Sequence, residues 1–172
     1  SSCKRRKIEI GWGTSLMALT LPRGSIFSIE AKDLLATPAG TTNQWNKVTE
    51  HNRTDFSINV ERIEKVVRTS NGTLRKNFIK DKRKFSTSWD MLPSYRTLTV
   101  DGAWGAEDLR SFYLGEQGQG SFKIRLNIAK NGVSQESSGY EEYTVVITDC
   151  SFAIAKRGLQ PHWNVSLSMD EV

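Results

Sequence analysis

Residues 51–93 read HNRTDFSINVERIEKVVRTSNGTLRKNFIKDKRKFSTSWDMLP, and the pattern inside this stretch decides the fold class. Phe56, Ile58 and Val60 alternate with Ser57, Asn59 and Glu61, the period of two that marks a half-buried strand. The apolar positions run on through Ile63, Val66 and Val67 to an Asn71-Gly72 pair. Asn-Gly between two strand-like runs predicts a hairpin, because both central residues of a type I′ turn need positive φ. The return strand is expected over 74–79. A further strand is expected over 84–91, with Phe85, Thr87, Trp89 and Met91 on one face, and Pro93 stops it.

Outward from this centre the same grammar repeats. Upstream, Leu19, Leu21, Ile26, Phe27 and Ile29 surround Pro22-Arg23-Gly24, which suggests two short strands and a turn. Residues 37–46, rich in Pro, Ala, Gly, Thr and Asn, read as a loop. Downstream, 105–114 (GAEDLRSFYL) is the one good helix candidate: Glu107 and Asp108 complement the dipole of its first turn, and Leu109, Phe112 and Tyr113 share one face. Gly115 ends it. Phe122, Ile124, Leu126 and Ile128 alternate cleanly, a partner strand is expected over 143–154 after a polar loop at 130–140, and Trp163, Val165, Leu167 and Met169 form a last strand. Eight or nine strands and one short helix predict a mostly β fold, an antiparallel β-sandwich or barrel with a helix on its flank.

The whole chain has 172 residues with 24 Lys+Arg against 19 Asp+Glu, a net charge of +5. Its mass is 19.4 kDa and its mean hydropathy −0.47. That size suits one domain, expected over 17–172. Residues 1–16 read as an N-terminal extended arm, in which the cluster Lys4, Arg5, Arg6, Lys7 precedes Gly11-Trp12-Gly13. The arm is either a solvated terminus or, with Ile8, Ile10 and Trp12 alternating, a segment that orders on a neighbour as an added strand. No apolar run approaches the ~20 residues of a membrane helix, and nothing reads as a cleavable signal. Membrane partners are therefore not expected.

Catalytic chemistry is not expected either. The two cysteines, Cys3 and Cys150, form no CxxC pair; they are read as free thiols, with a single disulfide as the alternative. His51 and His162 stand apart as loop histidines. Glu107-Asp108, Glu141-Glu142 and Asp170-Glu171 have structural readings at a helix start, a strand start and the C-terminus, with no nucleophile or metal ligand at useful spacing. Neither a cofactor nor a metal is implied. Asn52, Asn71 and Asn164 match the glycosylation pattern by chance in a chain without a secretion signal.

Basic charge concentrates between residues 61 and 84, where nine Lys/Arg stand against three acids. Three readings fit such a ribbon: edge cations that keep it soluble and unpaired, a strip for an acidic protein surface, or a strip for nucleic acid. Phe78 is the one aromatic among the charges, so base stacking has little support.

The quoted stretch, with MALTLPRGSIFSIEAKDL before it at 17–34, resembles structural tail proteins of tailed bacteriophages, particularly those infecting actinobacteria. The likeness rests on that opening, the RIEK…NG hairpin and the KRKFSTSWDMLP strand, and spans most of residues 17–93. The remainder, ending in HWNVSLSMDEV, is more loosely similar to the tail-tube type of fold. The resemblance implies a virion structural protein, assembled in the host cytoplasm, that forms hexameric or trimeric rings in the tail. The rings would stack with other tail proteins, and DNA would pass through them without specific binding. Expected inter-subunit contacts are Lys4, Arg5, Arg6 and Trp12 in the arm and Arg68, Asn71, Gly72, Arg75 and Lys76 in the hairpin. The basic hairpin is expected to mate with an acidic surface on the neighbouring ring, so that reversing charge at Arg68, Arg75 and Lys76 blocks assembly. Two other readings stand beside it: a stand-alone β-barrel module that binds nucleic acid through 61–84, and a tail-tip adhesin or carbohydrate-binding module using Trp12, Trp45 or Trp104.

Overall fold

The computed structural model describes residues 26–35, 38–128 and 140–172. The arm, the Pro22 turn and most of the 130–140 loop lie outside the described residues. Seven strands form one antiparallel sheet: β1 (Phe27–Ala31), β2 (Gln44–Lys47), β3 (Arg53–Arg68), β4 (Leu74–Pro93), β5 (Phe122–Asn127), β6 (Tyr140–Lys156) and β7 (His162–Glu171). Their order is β2-β1-β5-β6-β7-β4-β3. Between β4 and β5 come a 3-10 turn (Arg96–Leu98), the helix α1 (Ala106–Leu114) and one further turn of helix, α2 (Glu116–Gln119). The expectation of a mostly β antiparallel fold with a short helix on its flank is met.

The two outermost strands, β2 and β3, are consecutive in sequence and joined only by residues 48–52. The sheet must therefore curl until its two ends nearly meet. Phe27 of β1 and Phe56 of β3, far apart in strand order, have ring centroids 5.9 Å apart. The Trp89 indole N–H of β4 donates to the Thr49 carbonyl in the connection at 2.9 Å. Inside the curl lie Phe27, Ile29, Phe85, Trp89, Leu92, Ile124, Leu126, Val145 and Met169, all essentially solvent-free. α1 closes the open side: Leu109 and Phe112 are buried, and Phe112 meets Phe122 edge-on at 5.0 Å.

Three expectations need correction. Residues 44–47 are not loop but the short strand β2, paired with β1 from Ser28↔Lys47 to Ala31↔Gln44; QWNK is too short to show a period. The strands expected at 74–79 and 84–91 are one strand of 20 residues. Facing Glu64 and Ile63 of β3 are Phe78 and Lys80, so Ile79 is an extra residue that breaks the alternation and disguises the continuity. The hairpin turn is also not type I′. Only Gly72 has positive φ (82°), the Gly72 N–H donates to the Thr69 carbonyl at 2.9 Å, and the strands resume at Arg68↔Leu74. That is a longer connection with one left-handed glycine.

Candidate interaction surface

Strand register divides β3 and β4 into two unequal parts. From Lys84 to Pro93, β4 pairs with β7 on one side and β3 on the other. Beyond Lys84 the two strands have, among the described residues, only each other as strand partners, so residues 60–83 project from the described body as a two-stranded ribbon on the order of 30 Å long. The ribbon contributes no side chain to the core; Val60, Ile63, Val66, Val67, Leu74, Phe78 and Ile79 are all exposed. A hairpin standing alone is marginal in water, and this apolar surface is what a neighbouring molecule would cover.

Cross-strand partners share a face, which sorts the ribbon's charges. Continuing the core-facing side are Val60, Arg62, Glu64, Val66 and Arg68 with Arg83, Asp81, Phe78, Lys76 and Leu74 opposite. Here cations meet acids: Arg62–Asp81 at 2.9 Å, Lys76–Glu64 at 2.6 Å and Arg83–Glu171 at 3.4 Å. The Arg62 guanidinium beside Asp81 holds that carboxyl below its ordinary range. The other face carries Lys65, Arg75, Lys80 and Lys82, none of them in an ion pair among the described residues, with Lys84–Glu61 at 2.9 Å where the ribbon joins the body. Lys80 and Lys82 are alternate residues of β4 on this face, and the neighbouring Lys80 ammonium pushes Lys82 below the usual lysine range.

The body continues this second face with hydroxyls. Ser57, Ser86 and Ser168 are successive cross-strand neighbours, as are Ser88, Ser166 and Ser151. Ser57 and Ser86 share a hydrogen bond of 2.5 Å, and Ser151 and Ser166 one of 2.7 Å. A shallow open groove there is lined by Asn59, Lys84, Ser86, Thr148, Ser168 and Asp170.

The body also leaves two strand edges open among the described residues. β3 is the outermost strand. β6 pairs with β5 only as far as Val145; from Val146 to Lys156 it has β7 on one side and no described strand on the other. Beside that open edge, Ile147, Cys150 and Phe152 line a small apolar gap under Leu109 and Tyr113 of α1. Burial, with a smaller push from Asp149, raises the Cys150 thiol to about 12.

Of the expected contact residues, Lys4, Arg5, Arg6 and Trp12 lie outside the described residues. Arg68, Asn71, Gly72, Arg75 and Lys76 do meet at the ribbon tip, but on different faces: Arg68 and Lys76 on one, Arg75 on the other. Lys65, Lys80 and Lys82 belong to the basic run at 61–84, but the face they share, like the two open edges, was missed. Only a strand register could reveal them, because the extra residue at Ile79 changes which lysines share a face. Trp104 is buried in the core and Trp45 lies under the Arg125 guanidinium at 4.1 Å, so neither stands as a free sugar platform. The three asparagines of the glycosylation pattern all make side-chain hydrogen bonds: Asn52 to the Met91 carbonyl, Asn164 from the Met91 N–H, Asn71 from the Thr69 hydroxyl. His51 Nδ1 accepts from the Val100 N–H at 3.3 Å. Among the described residues, no group of His, Cys, Asp and Glu is placed to hold a metal, and no helix is long and apolar enough to cross a membrane.

Neither a protein-family model nor a curated protein matches the sequence. Solved structures do share the fold. One is the tail of an empty gene transfer agent particle, refined helically with C6 symmetry; another is the virion of the native gene transfer agent particle. A chain in each superposes with a TM-score of 0.50 at 13% identity, over 87% of this chain and 92% of that chain.

Proposed function

We propose that this chain is a structural protein of a phage-like tail, and that copies pair edge to edge into closed rings that stack into a conduit for DNA. The observation that carries the reading is the sub-sheet β6-β7-β4-β3, open at both edges among the described residues. Its four strands alternate in direction, so β6 of a copy rotated about an axis parallel to the strands meets β3 antiparallel. Because the two edges differ, the contact is heterologous, and repeated rotation closes a ring. Pairing also removes the edge liability that a 16-residue outer strand otherwise carries. The fold shared with a chain of a C6-symmetric tail agrees with six copies, and the described polar face of serines suits the inner wall.

Stacking has its own surfaces. The ribbon leaves one end of the body, and the opposite end exposes Met91, Tyr95, Val100 and, at the tip of the β6–β7 turn, Leu159, which is 99% exposed. A copy stacked in the same orientation brings the apolar side of the ribbon onto that end. This head-to-tail contact needs no catalytic group, which fits a non-enzymatic role.

The test is the mass of the purified protein across concentration, followed by negative-stain imaging. Rings or tubes are expected. Placing charges on both open edges, Ile58→Lys with Ile154→Lys, should leave the circular dichroism spectrum unchanged, since both side chains are exposed, and hold the protein monomeric. Unimpaired rings in that double variant would rule out edge pairing.

A further inference from the structure

We infer that the lysine face of the ribbon, carrying Lys65, Arg75, Lys80 and Lys82, is a binding strip for the phosphate backbone of double-stranded DNA. The inference rests on the tail reading only for why DNA is at hand; the strip itself is read from the ribbon.

Segregation is the first argument. The ribbon's few acids do not spread over both faces: Asp81, Glu64 and Glu171 take Arg62, Lys76 and Arg83 on the core-facing side. Glu61 takes Lys84 at the root. Five cations remain, and four of them, Lys65, Arg75, Lys80 and Lys82, share one face; Arg68, at the tip, is on the other. A strip needed only for solubility has no reason to sort its charges by face.

The second argument is the placement of Lys80 and Lys82 as alternate residues of one strand on the same face. Two ammonium groups at neighbouring positions of one face repel. An anion lodged between them turns that repulsion into attraction for both. Along one strand, alternate residues repeat at about 6.7 Å, so Lys80, Lys82 and Lys84 present an evenly spaced row, with Lys65 and Arg75 continuing it toward the tip.

The choice of DNA over an acidic protein follows from what else is on the face. Protein interfaces are built on an apolar and aromatic centre. Here Phe78, Val66, Leu74 and Val60 point to the other side, leaving Ile63 and Val67 among the lysines and Ile79 at the bulge. Lysine is a point charge without the planar fork that arginine offers a carboxylate. A lysine row poor in aromatics suits a backbone met by charge alone, without base stacking or sequence readout. On the body, Asp55, Asp149 and Asp170 share this face and repel phosphate, which confines the strip to the ribbon.

The measurement is fluorescence anisotropy of a labelled random-sequence duplex titrated with the full-length protein over a salt series. Wild type should bind, with affinity falling as salt rises at a log–log slope of roughly −3 to −4, about −0.9 for each phosphate neutralised. Lys80→Glu with Lys82→Glu should weaken binding at least about tenfold and flatten the slope by about two. Arg68→Glu with Lys76→Glu, the same charge change on the other face, should weaken it far less. Three results would overturn the inference: no binding by wild type at low salt, equal losses from the two variants, or no loss from the first. Loss of assembly in the Lys80/Lys82 variant with DNA binding intact would assign the strip to an acidic protein surface instead. Binding can be read on monomer and assembled protein alike, so failure of the ring reading is detected separately, by the mass measurement.

Discussion

Arg96 is the residue on which the helical side of the molecule turns. Its guanidinium donates to both oxygens of Asp33, after β1, at 2.6 and 2.7 Å, and also pairs with Asp108 in the first turn of α1. Asp108 in turn accepts from the Gly105 N–H at 3.1 Å, half of a capping box. One cation thus ties a strand end, the 3-10 turn and a helix start together, with both carboxylates nearly buried. Removing it takes away the cation between two nearly buried acids. Arg96→Met should therefore cost about 3 kcal/mol in urea denaturation, whereas the exposed pair Arg110–Glu107 should cost under about 1. Cys150 gives a second residue-scale test. Its thiol is raised to about 12 because burial disfavours the thiolate, so in the folded state the neutral form is held past the ordinary thiol range. The stabilisation is complete below about 9, the ordinary thiol pKa, and is lost as pH rises from there toward about 12. In a Cys3→Ser background, iodoacetamide at pH 8 should label native protein far more slowly than urea-unfolded protein; equal rates would contradict the burial.

At the scale of elements, what was legible in the sequence and what was not follow from one cause. Where a single period holds, the reading succeeds: Leu109 and Phe112 place α1, Phe122, Ile124 and Leu126 place β5, and Val165, Leu167 and Met169 place β7. Where the period breaks, it fails. Ile79 adds one residue to β4, so Phe78 and Phe85 no longer keep the alternation between them, and Lys80, Lys82 and Lys84 fall on one face with Arg75. A second irregularity lies between Trp89 and Leu92, where Met91 has φ of +56° and is held by Asn52 and Asn164 from both sides. Neither bulge has a sequence signal apart from its partners. The open edge of β6 was illegible for a related reason: it depends on where β5 stops. The hairpin tip is testable at this scale. Gly72 has positive φ and open space around its Cβ position, so backbone conformation alone limits substitution. Gly72→Val should unsettle the tip without touching the core, lowering overall stability by no more than about 1 kcal/mol. Amide exchange should quicken from Arg68 to Leu74 and stay unchanged in β7.

For the molecule as a whole, the structure separates a body that holds the core from an exposed ribbon to which the proposed function assigns association. Every fully buried side chain of the described core lies outside residues 60–83, while the ribbon holds a run of exposed apolar residues and the cations Lys65, Arg75, Lys80 and Lys82. Folding and association should therefore come apart on deletion. Val60 and Arg83 are cross-strand partners, so residues 61–82 can be replaced by Asn-Gly without moving either strand. The shortened protein should melt within about 4 °C of the full chain, equivalent to about 1 kcal/mol at this size. Its β3 edge over 56–60 and its β6 edge remain, so rings should still form. With the ribbon gone they should neither stack into tubes nor bind duplex DNA. Negative-stain images of single rings from the deletion, beside tubes from the full chain, would place ring closure in the body and stacking in the ribbon. Tubes from the deletion, or a collapse of its melting transition, would show that the body and ribbon are not divided in this way.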